Sequence, residues 1–108
     1  MSTSLERFLA LLDAGKDSPL LRYSLAVEYM KRDDTSNAIA QLVLALEGDP
    51  NFSAAWKLYG KALVEAGNHE AACDVFERGI SVAEGRGDAQ AVKEMRVFKR
   101  RAEKALME

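Results

Sequence analysis

Apolar side chains recur every three to four residues along almost the whole chain, and no stretch alternates apolar with polar residues between turn signals. That periodicity predicts helices and no strands. Breaker clusters cut the pattern into six segments. The first helix is expected from about Ser4 to Ala14, with Ser4 as its amino cap, Gly15 at its carboxyl end and Leu5, Phe8, Leu9 and Leu12 as its apolar face. Asp17-Ser18-Pro19 starts a second, because serine caps well and proline suits the first helical position, and it runs to about Arg32. Beyond Asp33-Asp34-Thr35-Ser36 a third covers about residues 36–47, and Gly48-Asp49-Pro50-Asn51 ends it. A fourth runs from near Ser53 to near Ala66, Asn68 caps a fifth reaching about Glu84, and Gly85-Arg86-Gly87-Asp88 separates a sixth over residues 88–107. Connections this short turn each helix back on the one before it, so the predicted unit is a stack of antiparallel helical hairpins.

The stack repeats itself. An offset of 34 residues pairs Leu25 with Tyr59, Ala26 with Gly60, Tyr29 with Leu63, Ala38 with Ala72, Leu42 with Phe76 and Ala45 with Gly79. Small residues recur with small ones at three separate places, which amphipathicity alone does not require. Two helices approach closely only where a side chain is missing, and Ala26 or Gly60 on one helix and Ala38 or Ala72 on the next leave that room. Tyr29, Leu42, Leu63 and Phe76 are then the residues that fill the remaining space.

Trp56-x2-Tyr59-Gly60-x2-Leu63 followed by Ala72-x3-Phe76 resembles the tetratricopeptide repeat, whose pattern is W-x2-L-G-x2-Y, then A-x3-F, then P. Leucine and tyrosine are exchanged. An earlier copy, Arg22-x2-Leu25-Ala26-x2-Tyr29 with Ala38-x3-Leu42-x2-Ala45 and Pro50, keeps the Leu, Tyr, Ala and Pro places but has Arg22 where tryptophan is commonest. The match covers about residues 19–84. The second copy ends in Glu84 rather than proline, and the last segment puts Gln90, Lys93 and Glu94 where a third copy would bury residues. The resemblance implies an all-α, short right-handed solenoid of about six helices, arranged as an N-terminal helix (1–16), two repeats (19–52 and 53–86) and a capping helix (87–108). The cap would bury Val92, Met95 and Phe98 with Ala102, Ala105 and Leu106.

Composition agrees with one folded domain: the chain has 108 residues, 48% hydrophobic and 30% charged. Its early apolar run, Phe8 to Leu12, is too short for a secretory segment or a membrane span, and the lone Cys73 permits no internal disulfide, so a cytoplasmic protein is expected. Charge is uneven. Residues 85–108 carry seven basic and four acidic side chains, +3, and residues 1–84 carry eight and thirteen, −5.

Little of this is catalytic chemistry. His69-Glu70-Ala71-Ala72-Cys73 has the outline of the zinc-protease motif H-E-x-x-H but ends in cysteine, and the chain has one histidine, so His69 and Cys73 are read as structural. Gly85-Arg86-Gly87 reads as a turn and not a phosphate loop. The run Lys99-Arg100-Arg101, with Arg96 and Lys104, lacks interleaved aromatic stacking groups and reads as the solvated side of the last helix. No enzyme activity, cofactor, metal, nucleic acid or membrane contact is expected.

The resemblance implies a concave face lined by the first helix of each pair, where the family binds peptides. By register that face carries Leu20, Tyr23, Val27 and Met30 from the first pair and Ala54, Lys57, Lys61 and Val64 from the second. An apolar strip beside two lysines one turn apart suits a peptide with hydrophobic anchors and a carboxylate. The alternative is that a terminal helix covers the strip, or that it is ordinary core. The family's carboxylate clamp for acidic chaperone tails is not present: its positions hold Tyr23, Val27, Leu58, Asp88 and Val92. The expected partner is a protein or peptide; because two repeats fall short of the three that usually stabilise a solenoid, a homo-oligomer is the alternative.

Overall fold

The computed structural model describes residues 3–108. Six helices account for nearly all of them: α1 (Ser4–Asp13), α2 (Pro19–Lys31), α3 (Thr35–Gly48), α4 (Ser53–Glu65), α5 (His69–Gly85) and α6 (Ala89–Met107). Five of the six begin on a side-chain cap. Thr3, Ser18, Asp34, Asn68 and Asp88 each accept a backbone N–H from three residues ahead, which satisfies one of the donors a helix leaves free at its start. The cap of α1 is thus Thr3 rather than Ser4, and α3 begins one residue earlier than its sequence suggests because Asp34 takes the cap position.

The ends are equally local in origin. After α1, α2, α4 and α5 the chain turns through one left-handed residue, Gly15, Asp33, Gly67 or Gly87. In each case the following N–H returns to a carbonyl five residues back, as Asn68 does to Leu63 at 2.9 Å and Asp34 to Tyr29 at 2.9 Å. Asp33 (φ 57°) stands 34 residues before Gly67 (φ 81°) and does the same job with a side chain attached. The α3 end differs: Asp49 precedes Pro50, which favours extended backbone before it (φ −143°), and a turn at Pro50 and Asn51, closed by the Phe52 N–H to the Asp49 carbonyl at 3.2 Å, leads into α4.

Successive helices from α2 to α6 pack on one another, while α1 packs on α2 alone. Across the stack α2 touches α4 and α4 touches α6, but α3 and α5 do not meet. The stack therefore curves with α2, α4 and α6 on its inner side, in a body of 44 × 31 × 20 Å. The small positions of the 34-residue register are buried: Ala26, Ala38, Ala45 and Ala72 are fully so, with Gly60 and Gly79 also inside. Phe76, Leu25, Leu42 and Met95 are the largest side chains with no exposure.

α6 takes the place of a third inner helix, one residue out of register. Ala91, Met95 and Phe98 lie 35 residues after Trp56, Gly60 and Leu63; Ala91 and Met95 are buried and Phe98 is half-buried. The 34-residue equivalents, Gln90, Lys93 and Glu94, are exposed or half-buried.

Two substitutions follow from these geometries. A Cβ added at Gly60 would lie 2.3 Å from Phe76 Cε1, on a ring that is wholly enclosed, whereas one added at Gly85 meets nothing within 4 Å. Gly60→Ala should therefore destabilise by about 1 to 3 kcal/mol despite alanine's better helix propensity. Gly85→Ala should be neutral or slightly stabilising, and thermal unfolding compares the two directly. Asp33→Gly should raise the melting temperature, since it removes a left-handed strain of about 1 kcal/mol that aspartate bears. A lowered melting temperature would show that Asp33 has compensating contacts.

Candidate functional site

The inner face divides into two parts, which differ in chemistry because α2 and α6 flank α4 with different side chains. On the α2 side, Tyr23 is half-buried and its ring lies against Phe52, with centroids 5.0 Å apart and planes at 45°. Phe52 precedes α4 and gives it no side-chain cap; its role is to fill the joint between α2 and α4. Val27 and Met30 follow along α2, both half-buried, and Met30 packs against the core. Leu20 is the most open of this strip at 65% exposure, and with Ala54, Pro19, Phe52 and Arg86 it borders a depression of about 530 Å³.

On the α6 side the two lysines part company. Lys57 Nζ lies 3.0 Å from Glu94 Oε2, tying α4 to α6 across the face, so its charge is engaged within the chain. The pairing holds the Glu94 carboxyl below the usual glutamate range, first through the hydrogen bond from Lys57 and then through the lysine's charge. Lys61, one turn on, sits over the Phe98 ring at 5.3 Å from its centroid, and Arg101 lies 5.8 Å from the same centroid. Lys61 and Val64 line a cavity of about 190 Å³ between α4, α5 and α6, walled by Phe76 and Phe98 and flanked by His69 and Arg101. The six side chains the sequence points to thus do not form one pocket: Tyr23, Val27 and Met30 form an apolar strip, Lys57 bridges two helices, and Lys61 and Val64 open on a cavity.

Sequence reasoning does not reach Phe98 and Arg101 as site residues. Both lie on the last helix, one on its core face and one on its solvated face by sequence, and only the 35-residue placement of α6 brings them opposite Lys61. Arg22, the departure from the tryptophan place, also acquires a reason. Its guanidinium forms two bonds to Asp17, at 2.9 and 3.0 Å, and one to Gln41 Oε1 at 3.0 Å, joining the α1–α2 turn to α3. Trp56 is packing: its indole N–H donates to the Pro50 carbonyl at 2.7 Å, and the residue is buried. Cys73 is half-buried and burial pushes its thiol up, which leaves it a poorer nucleophile than a free cysteine. Among the described residues no three His, Cys, Asp or Glu side chains cluster as a metal site would, and no helix is long and apolar enough to cross a membrane.

This architecture, inner helices touching and outer helices apart, is that of a tetratricopeptide repeat protein, and comparison with known proteins agrees. No family model matches the chain. It is, however, 41% identical over 105 residues to the TPR repeat-containing protein PA0015 of Pseudomonas aeruginosa, with 97% of each chain covered. The solution structure of protein BPP2914 from Bordetella parapertussis is similar with a TM-score of 0.87 and 39% identity, covering 97% of this chain and 91% of that one. The crystal structure of a tetratricopeptide repeat domain protein from Salinibacter ruber is similar with a TM-score of 0.75 and 31% identity, over 81% of this chain and 97% of that one. The chain belongs to the tetratricopeptide repeat family.

The Lys57–Glu94 pair gives the site an acid dependence. A carboxylate whose folded pKa is depressed contributes stability in full above its unfolded value, about 4.3, and loses it as pH falls through the lower folded value. Glu94→Gln should therefore melt below the parent protein at neutral pH, with the gap closing in acid below about pH 4. A gap constant from pH 7 to pH 3 would mean that the pair contributes nothing through its charge.

Proposed function

We propose that the protein is a non-enzymatic adaptor that holds a peptide or partner protein along the inner face of α2, α4 and α6, with Tyr23, Val27, Met30, Lys57, Lys61 and Val64 as its contact residues. The fold is one of protein-interaction modules, and the observation that carries the reading is the unfilled inner face. α6 stands beside α4 instead of crossing the apolar strip of α2, so Tyr23 and Val27 stay half-open and Leu20 open. An extended or helical peptide with apolar anchors suits such a strip.

Self-association is a second reading favoured by one observation. α1 has no buried residue, and Leu9, Leu11, Leu20 and Leu44 remain exposed toward that end of the stack. Such a surface is available to a second copy.

Partners captured from the native cell, titrated into the isotope-labelled chain, should shift the amides of Tyr23, Val27 and Lys61. Val27→Glu and Lys61→Glu should each weaken binding with the helical spectrum unchanged. Shifts confined to α3 and α5 would remove the inner face from consideration. Sedimentation over a wide concentration range decides the second reading, since a persistent monomer excludes it.

A further inference from the structure

We infer that the cavity between α4, α5 and α6 is an anchor site for an acidic peptide segment: one large apolar side chain of the partner fills it, and Lys61 and Arg101 hold a carboxylate of the adjoining residue at its mouth. The inference rests on the inner-face reading above and assigns the chemistry of one end of that face.

Size selects the occupant first. At about 190 Å³ the cavity is smaller than the several hundred Å³ that a site for a free small molecule needs, and it suits a single leucine- or phenylalanine-sized group. Its walls are apolar. Val64 closes one side, and Phe76 and Phe98, packed together with centroids 5.9 Å apart, form another. Filling it would cover more of the half-buried Phe98.

Charge selects the neighbour of that group. The cations nearby are mostly engaged, Lys57 by Glu94 and Arg96 by Glu84. Among the described residues, neither Lys61 nor Arg101 lies within ion-pair distance of a carboxylate, although Glu65 also borders the cavity. Both cations are held over the Phe98 ring, which fixes them near the mouth. His69 adds a buried Nδ1 with no hydrogen-bond partner on the same lining. A carboxylate arriving here gains charge-assisted hydrogen bonds from groups already positioned. Apart from Lys61, the net charge favours it only on the last helix, since residues 85–108 carry +3 and residues 1–84 carry −5. None of the clamp positions Tyr23, Val27, Leu58, Asp88 or Val92 takes part, so this is a separate arrangement.

The probe is a blocked pentapeptide of four glutamates around a central leucine, titrated into the isotope-labelled full chain. Saturable shifts are expected at Lys61, Val64, Phe98 and Arg101. Replacing the leucine by alanine should weaken binding by about tenfold or more, the value of one buried aliphatic side chain. Lysines in place of the glutamates should abolish it. Lys61→Met and Arg101→Met change exposed side chains and keep apolar stems, so the fold should persist while affinity falls several-fold and loses its salt dependence. Failure of the glutamate peptide to bind, equal binding of the lysine peptide, or shifts outside α4 to α6 would overturn the inference. If a captured partner still shifts Tyr23 and Val27 in that event, only the anchor site falls and the inner-face reading stands.

Discussion

The missing side chain at residue 60 governs the molecule. Phe76 is wholly buried because its ring occupies the space a Cβ on Gly60 would need, and this lets α4 and α5 close on each other. Everything further out is placed by that contact. α3 packs on α4 and α6 packs on α5, so the central pair sets where both flanks lie. The same device recurs one layer on, where Gly79 admits Met95 and the Trp56 stem at distances that exclude any side chain. Phe76 is also a wall of the cavity, so the glycine that closes the hairpin shapes the candidate site as well.

Most of the fold was legible because its determinants are local. A cap, a left-handed turn and a proline are each written within four residues, and the six helices follow from them to within about two residues at either end. The repeat was legible through its small residues, since Ala26, Ala38, Gly60 and Ala72 can be small for no other shared reason. What could not be read was the placement of α6. Its buried stripe, Val92, Met95 and Ala102 with the half-buried Phe98, is plain from the sequence; its register against α4 is not, because the turn at residues 86–88 starts the helix later and sets that stripe 35 rather than 34 residues after α4. One residue is 100° on a helix, so an offset of 34 from Gly60 points to Glu94 and an offset of 35 to the buried Met95.

That offset is why the surroundings of the candidate residues were not legible. Tyr23, Val27, Met30, Lys57, Lys61 and Val64 can be placed on the inner helices from register alone, since α2 and α4 obey the repeat. Their partners cannot. Glu94, which engages Lys57, and Phe98 and Arg101, which face Lys61, belong to the helix that departs from it. Arg22 illustrates the same limit at the other end: its bonds to Asp17 and Gln41 span 5 and 19 residues, and nothing local announces the second.

The two lysines of α4 show how neighbouring inner-face positions can carry different functions. Both project to the inner side, one turn apart, and on sequence they are equivalent. Glu94 reaches Lys57 and joins two helices, spending that charge on the solenoid itself. Lys61 meets an aromatic ring instead, and a ring attracts a cation without neutralising it. The positive charge therefore remains available at the α6 end of the face, while Tyr23, Val27 and Met30 at the α2 end carry none. A face apolar at one end and cationic at the other is polar in direction, so a peptide lying along it would have a preferred orientation. That orientation is set by whether its carboxylates precede or follow its apolar residues.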